Sequence, residues 1–350
     1  MKQKLTLLKK RVSVVVNDEN EKKGIFQIIK ESIIFWIVKK EFPFFYFGKF
    51  LYRKDVGNYK DYLSSKEVDK ITLSKNLHLY QYASLLRNKL TFAIFMERNN
   101  MPVPLMVSYN FKHNFFLGAK VYNVATIDDL YKYFNDLFVQ TSNTKVFVKA
   151  IAEMGGVGSY LITKDNLEQE LDQYGAYILA NDCIHQELII QHDLINTIYE
   201  GSVNSIRFDT YRDKNGTTHI LCAYMRFGRG GSVLDNSTSG GFWVGIDIEK
   251  GQLKGKSYQF MQHGGKRLDR HPDSKVIFDG YEIPYFKEAC EVVRKCVTHI
   301  PDRIIGWDIA ISKNGPVVIE GNDNNSLLGP DLVYQGLLKH PLAKEIMEEA

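Results

Sequence analysis

The chain is 350 residues long, with 44% hydrophobic and 25% charged residues, ordinary proportions for a soluble globular protein with room for two or three domains. A formal net charge of +4 and the lack of an arginine-rich tract argue against a nucleic-acid partner. Cys183, Cys222, Cys290 and Cys296 are scattered without metal-ligand spacing, and read as buried apolar side chains in a reducing, cytoplasmic compartment.

In chain order, the N-terminus is basic, but the apolar run Val12 to Val16 is too short for a signal peptide. The stretch Ile33 to Tyr52 is strongly apolar and aromatic, yet Lys39-Lys40-Glu41 and Pro43 interrupt it, which argues against a membrane span. Burial in a helical subdomain is the expectation, with a peripheral membrane contact as the alternative. Residues 1–85 read as mostly helical, with tyrosines at 59, 62, 80 and 82. From Leu85 to Asn99 the apolar positions Leu86, Leu90, Ile94 and Phe95 recur at helical spacing, and the helix ends before Met101-Pro102-Val103-Pro104. From Lys145 the period becomes two: Val146 and Val148 alternate with Phe147 and Lys149, a glycine-rich turn follows, and Ser159 to Thr163 reads as a strand. Further strands are expected at Cys183 to His192, Ser205 to Tyr211, Thr218 to Phe227 after the Asn215-Gly216 turn, and Phe242 to Ile248. Tyr285 to Ile300 reads as an amphipathic helix closed by Pro301. The pattern is α+β with antiparallel hairpins.

The most informative segment runs from Gly306 to Asn322, two β-branched stretches around an Asn-Gly turn. A three-residue loop, Lys313 to Gly315, pairs Ser312 with Pro316 and sets Asp308 opposite Glu320, with Asn322 on the same face. Trp307, Ile309, Ile311, Val317 and Ile319 then point to a core. Two carboxylates about 5 Å apart repel, and a divalent cation removes that penalty. Three oxygen-bearing side chains suit Mg²⁺, although a solvated polar face would show the same pattern.

Lys149 ends its strand on the face away from the valines, and Gly155, Gly156 and Gly158 follow. Such a loop lets backbone N–H groups approach a phosphate while the ammonium supplies a point charge; a plain turn explains the glycines equally well. The segment Gly251 to Ser257 looks like a P-loop but has three residues between its glycines where four are required. Val146 to Lys149 lacks the kinase HRD and DFG companions. A second polar, glycine-rich stretch runs through Arg226, Gly228, Arg229, Gly230 and Gly231 to Asp235, Asn236, Gly240 and Gly241, and its arginines suggest anion binding. Asn204 and Arg207 are expected to share a face with Asp209, where an Arg207–Asp209 ion pair is the alternative to a binding role.

Lys89, Lys149 before its glycine turn, Gln186-Glu187, and Asp308 with Glu320-Gly321-Asn322 occur in an order and spacing that resembles the ATP-grasp superfamily of ADP-forming ligases. Ser202 to Arg207, the Arg226 stretch, Asp235-Asn236 with Gly240-Gly241, and Gly306-Trp307-Asp308 look more narrowly like the sugar-transfer-associated ATP-grasp proteins, which are related to α-L-glutamate ligases. The resemblance, which runs from about Leu85 to Asn325, implies an ATP-grasp fold, two α+β subdomains gripping ATP, with 86–185 holding the pre-grasp segment and small lid subdomain and 186–350 the large subdomain, after the N-terminal helical region 1–85. It implies that Lys89 and Lys149 contact the ATP phosphates, that Gly155, Gly156, Gly158 and Ser159 close over them, and that Gln186, Glu187, Leu188 and Ile189 read adenine. Gln191 or His192 would lie near the ribose, Asp308, Glu320 and Asn322 would hold Mg²⁺, and Asn204, Arg229, Asn236, Gly240 and Gly241 would meet substrate.

The implied activity is an ADP-forming carboxylate–amine ligation through an acyl-phosphate, joining an amino acid to a sugar acid or other polysaccharide precursor. A kinase-like phosphotransferase and a non-catalytic nucleotide-binding module of a polysaccharide assembly are the alternatives. One departure stands out: an arginine common two residues before the first metal aspartate is Gly306 here, so Arg226, or else Arg207, is expected to supply the catalytic cation.

Overall fold

The computed structural model describes residues 12–153 and 155–350, so the basic tract ahead of Val12 lies outside the described residues, as does Met154 of the glycine-rich turn. The N-terminal region is helical in part, with irregular connections: α1 (Ile25–Lys39), α2 (Phe44–Gly48), α3 (Ser65–Thr72) and α4 (Ala83–Arg87). Helix α1 stops where Lys40 turns left-handed at φ 53°, and α3 is started by a capping box in which Ser64 and Glu67 satisfy each other's backbone N–H. The apolar stretch from Ile33 divides: Phe35, Tyr46, Phe50, Leu51 and Tyr52 are buried, whereas Ile33, Trp36, Ile37, Phe42 and Phe44 are exposed.

The single helix expected from Leu85 to Asn99 is broken. Asn88 adopts an extended conformation and its side chain accepts from the Thr91 N–H at 2.9 Å, capping a new helix, α5 (Lys89–Arg98). Apolar spacing continues across the break, which is why periodicity alone misses it. The break makes Lys89 the first residue of a helix.

The first sheet is antiparallel, in the order β3-β2-β1-β6-β4-β5, from β1 (Met106–Phe111), β2 (Asn114–Leu117), β3 (Lys120–Asn123), β4 (Lys145–Ala150), β5 (Ser159–Thr163) and β6 (Cys183–Gln186). Helices α6 (Ile127–Thr141) and α7 (Leu167–Ala180) cover one face, burying Val146 and Val148 among Leu130, Phe134 and Leu171. Phe147 and Lys149 face the other way. The strand expected from Cys183 to His192 ends at Gln186; the chain then runs extended and His192 caps α8 (Asp193–Ile198).

The second sheet, also antiparallel, has the order β10-β9-β8-β7-β11-β12, from β7 (Ser205–Arg212), β8 (Thr218–Phe227), β9 (Phe242–Asp247), β10 (Gln252–Tyr258), β11 (Ile304–Ser312) and β12 (Gly315–Asn322). The segment that mimics a P-loop is strand β10. Helix α9 (Phe286–His299) packs on one face with Ile206, Phe208, Trp307, Ile309 and Ile311. On the opposite face Cys222, Tyr224 and Trp243 pack against Phe35, Tyr46 and Tyr52, so the N-terminal region covers part of it. Helices α10 (Leu328–Val333) and α11 (Ala343–Glu349) close the chain.

The β11–β12 hairpin corrects the expected turn. Ser312 pairs with Gly315 and Ile311 with Pro316, which makes the loop two residues long, and a bulge at Ile319 then restores Asp308 opposite Glu320. The core position is accordingly taken by Val318, while Val317 and Ile319 are only half-buried. Two compensating one-residue shifts leave the carboxylates where the alternation predicts them.

Candidate active site

On β7 the side chains of Ser205, Arg207 and Asp209 share the face away from α9, and β11 presents Gly306 and Asp308 beside them, because Arg207 pairs with Asp308 and Asp209 with Gly306. Across β8, Arg207 pairs with Tyr224, so Arg226 also lies on this face. Asp308, 1% exposed, is gripped twice. Arg207 donates from Nε to Oδ1 at 2.5 Å and from Nη2 to Oδ2 at 3.2 Å, and Arg226 donates from Nη2 to Oδ2 at 2.8 Å. Burial alone would raise this carboxyl, but the two guanidiniums outweigh it and hold it well below the usual carboxylate range.

Arg207 thus binds Asp308 and not its strand neighbour Asp209, so the ion pair weighed as the alternative to a binding role does not form. Asp209 instead accepts from the Asn325 amide, and its Oδ2 is buried with no hydrogen-bond partner. Burial pushes it up to about 7, against the pull of Arg207. The space above Gly306 is filled from elsewhere. A Cβ there would come within 2.7 Å of the Asn325 Cβ and 3.3 Å of the Arg207 Cδ. The stem of Arg207, delivered by the neighbouring strand, therefore lies over the position where the arginine is missing.

Glu320 and Asn322 complete the face from β12. Asn322 Nδ2 donates weakly to the Gly306 carbonyl and to Glu320 Oε1, both at 3.4 Å, which leaves its Oδ1 free. Burial and the neighbouring Asp308 raise the Glu320 carboxyl. A buried acid beside a charged one, an unused amide oxygen and one free lone pair on Asp308 form an all-oxygen donor set that fits Mg²⁺ sharing its shell with water and phosphate. Among the described residues no group of three His, Cys, Asp or Glu side chains forms a metal site, so two carboxylates and an amide are the whole set. The arginines also supply the charge compensation that carboxylate repulsion alone had assigned to a cation.

The first sheet and helix α5 bring a cation each to the same place. Burial lowers Lys149 to about 8, with Glu320 pulling it up and Lys89 pushing it down; burial likewise lowers Lys89, again opposed by Glu320. The two lysines and Glu320 therefore sense one another across the cleft between the sheets. Lys89 donates to the Glu153 carbonyl at the start of the glycine loop, and Ser159 lies opposite Lys149. Gly155, Gly156 and Gly158 all have φ between 67° and 83° and lean on the second glycine-rich stretch. A Cβ on Gly156 would meet Leu234 at 2.9 Å, and one on Gly155 would meet Asn236 Nδ2 at 3.3 Å. The two loops form one roof.

Other expected residues are placed differently. Asn204 precedes β7, does not share its face, and is fully buried, with Nδ2 donating to the Tyr199 carbonyl at 2.6 Å and its backbone N–H to Gln191 Oε1 at 2.6 Å. Both Asn204 and Gln191 are internal fasteners. His192 Nδ1 accepts from the Leu194 N–H at 3.1 Å as a helix cap, and the Gln186 side chain donates to the Pro104 carbonyl at 3.1 Å. Glu187 bonds through its backbone N–H to Leu105 at 2.9 Å, and Leu188 and Ile189 are half-buried beyond it. Asn236 caps the turn Ser237–Ser239, Gly240 takes φ 102°, and Gly241 is wedged with no room for a Cβ. Arg229 is half-buried at the head of that loop. Sequence reasoning assigns no role to Ser205 or Asp235, although both lie in the motifs it quotes. The Ser205 hydroxyl accepts from Arg226 Nε at 3.0 Å, and its own N–H donates to Asp235 Oδ2 at 2.9 Å. The i, i+2 spacing from Arg207 could have found Ser205; nothing local points to Asp235.

None of the curated proteins compared with the chain matches it. Among solved structures it is similar to N5-carboxyaminoimidazole synthetase from Staphylococcus aureus complexed with ADP, at 16% identity and TM-score 0.45, over 76% of this chain and 53% of that one. D-alanyl-alanine synthetase A from Vibrio cholerae is similar at 12% identity and TM-score 0.40, over 74% of this chain and 67% of that one. Biotin carboxylase from Campylobacter jejuni gives 12%, 0.43, 73% and 46%. The chain thus spans about half the length of the first of these. The profile described as sugar-transfer associated ATP-grasp matches residues 70–347. With most of its length matched, and both sheets and the cleft between them inside the match, this chain belongs to the sugar-transfer-associated ATP-grasp family.

Proposed function

We propose that the chain is an ATP-dependent, ADP-forming ligase that joins a carboxylate to an amine through an acyl-phosphate, the carboxylate being a sugar acid or similar cell-envelope precursor and the amine an amino acid. One observation carries this reading: Lys89 at the start of α5 and Lys149 on the first sheet, and Asp308, Glu320 and Asn322 with Arg226 and Arg207 on the second, converge on a single cleft under a glycine-rich roof. Cations on one wall and oxygen ligands on the other are what a polyphosphate with its metal requires.

In the first step a carboxylate oxygen attacks the γ-phosphorus, and the bond to ADP breaks as the acyl-phosphate bond forms. Lys89 and Lys149 hold the phosphates in line, and the glycine loop excludes water. Glu320, Asn322 and the free edge of Asp308 would hold Mg²⁺, which when bound neutralises phosphate charge. In the second step the amine nitrogen attacks the acyl carbon, the C–N bond forms, phosphate leaves with the bonding pair, and the amine gives up a proton. Arg226, half-buried and aimed over Asp308, stabilises the developing oxyanion. Incubation with ATP, Mg²⁺ and a metabolite extract, followed by mass spectrometry, tests the reading. An amide appearing with ADP and phosphate supports it; a phosphate ester without amide would make the chain a kinase; and no turnover would leave it a nucleotide-binding module.

A further inference from the structure

Helix α1 turns most of its apolar side chains outward, although Phe35 is buried in the core. Its inward face carries charge: Glu31 accepts from Lys23 Nζ at 2.9 Å and from the Tyr46 hydroxyl at 2.8 Å, and Lys39 Nζ donates to Glu67 at 2.9 Å. Its outward face carries Ile25, Phe26, Ile29, Ile33, Trp36 and Ile37, all exposed, with Phe26 at 86% and Trp36 at 53%. At about 100° per residue these six fall within about a third of the helix circumference. Phe42 and Phe44 extend the stripe, with ring centroids 5.8 Å from Trp36 to Phe42 and 4.8 Å from Phe42 to Phe44. A globular surface helix turns its apolar stripe inward, and a contiguous apolar patch left outside marks an interaction surface.

Charge identifies the occupant. Residues 1–54 hold 13 lysines and arginines against 5 acidic residues, but Lys23, Lys39, Lys49 and Arg53 are taken up in inward ion pairs, so the cations that bear on the stripe are those beside it. Lys30 borders the stripe, and Lys40 and Lys66 lie exposed at its C-terminal end, where Lys66 Nζ donates to the Lys40 carbonyl at 2.8 Å. A second copy would set like charge against like; an anionic lipid surface complements it. Trp36 with two phenylalanines is the composition that settles at the boundary between headgroups and acyl chains. Among the described residues no helix is long and apolar enough to cross a membrane. We propose that α1, with Phe42 and Phe44, docks this protein peripherally on an anionic phospholipid bilayer.

The test uses the full chain with vesicles of phosphatidylcholine alone and of phosphatidylcholine mixed with phosphatidylglycerol. Of the three tryptophans, Trp243 and Trp307 are 2% and 0% exposed, so a change in emission on adding vesicles reports Trp36. Expected are sedimentation with the anionic vesicles, weakened by salt, and a blue shift of the emission. The double variant Ile29→Glu, Ile33→Glu, both at exposed positions, should lower the bound fraction about ten-fold or more. Lys30→Glu with Lys40→Glu should remove the preference for anionic lipid, which keeps the proposal testable if the first variant folds poorly. Failure to bind either vesicle, or equal binding to both, would overturn it. So would a concentration-dependent dimer that the isoleucine variants dissociate, since the face would then belong to a second copy.

Discussion

Asp308 carries more of the site than its size suggests, since two arginines and the proposed metal position share a single carboxylate. Arg207 is the more deeply buried of the pair and contacts both oxygens. Arg207→Ala leaves Asp308 short of a partner inside the sheet and should cost about 3–5 kcal/mol, measured by chemical denaturation. Arg226 is half-exposed to the cleft, and Ser205 and Asp235 hold its other edge. Arg226→Ala should therefore spare stability and ATP affinity yet lower kcat about 10²-fold, the loss seen when one oxyanion donor is removed. Normal turnover in that variant would leave the second chemical step without its cation. Lys149 gives a pH signature. Its ammonium attracts phosphate, so nucleotide affinity should fall as pH rises through about 8, the value in the free protein. The unfolded chain keeps that proton up to 10.5, so the stability of the nucleotide-free protein should gain from this group between 8 and 10.5. Calorimetry of Lys149→Met, expected to bind nucleotide roughly 1.5–3 kcal/mol more weakly, should show neither trend.

At the scale of elements, the β11–β12 hairpin shows what sequence can and cannot settle. Alternation with a three-residue turn sets Asp308 opposite Glu320, and the pairing holds only because the shorter turn and the bulge cancel. Alternation could not reveal the bulge at Ile319; two residues on, Gly321 admits no Cβ, which would sit 2.7 Å from Leu86 and 3.1 Å from Trp307, so β12 is pressed against α4. Gly321→Ala should overpack this contact and cost about 1–3 kcal/mol in thermal unfolding. It should also displace Glu320 and lower turnover at unchanged ATP affinity. Lys149 and the valines behind it were legible because β4 keeps a strict period of two. The choice of Asp308 over Asp209 by Arg207 was not, because it depends on β11 lying beside β7, a matter of strand order. Nor was the cap at Asn88, where the apolar spacing runs on through a break in the backbone. The β1–β3 meander also went unread, since Met106 to Asn123 mixes aromatic and polar residues without an apolar stripe.

Across the whole molecule, the N-terminal region is tied to the far end of the chain. Lys49 and Asp331, 2% and 0% exposed, form a 2.5 Å ion pair; Lys49 also donates to the Leu63 carbonyl, and Asp331 accepts from the Leu337 N–H at 2.8 Å. Burial lowers the lysine and raises the aspartate, so neither charge would persist there alone. Lys49→Met should cost about 3–5 kcal/mol and is expected to separate unfolding of the N-terminal region from that of the large sheet in a calorimetric scan. A single unaltered transition would show the region to be held by its apolar contacts alone. The same bond sets an order of events during synthesis. Residues 49 and 331 are 282 positions apart, so at roughly 5–20 residues per second the first-made region waits on the order of 15–60 s for its partner. Throughout that interval Phe35, Tyr46, Phe50 and Tyr52 lack the sheet that later buries them. The apolar segment around them is thus made well before the sheet that covers it, and whatever meets it in that interval, a chaperone or a lipid surface, meets it before the large sheet exists.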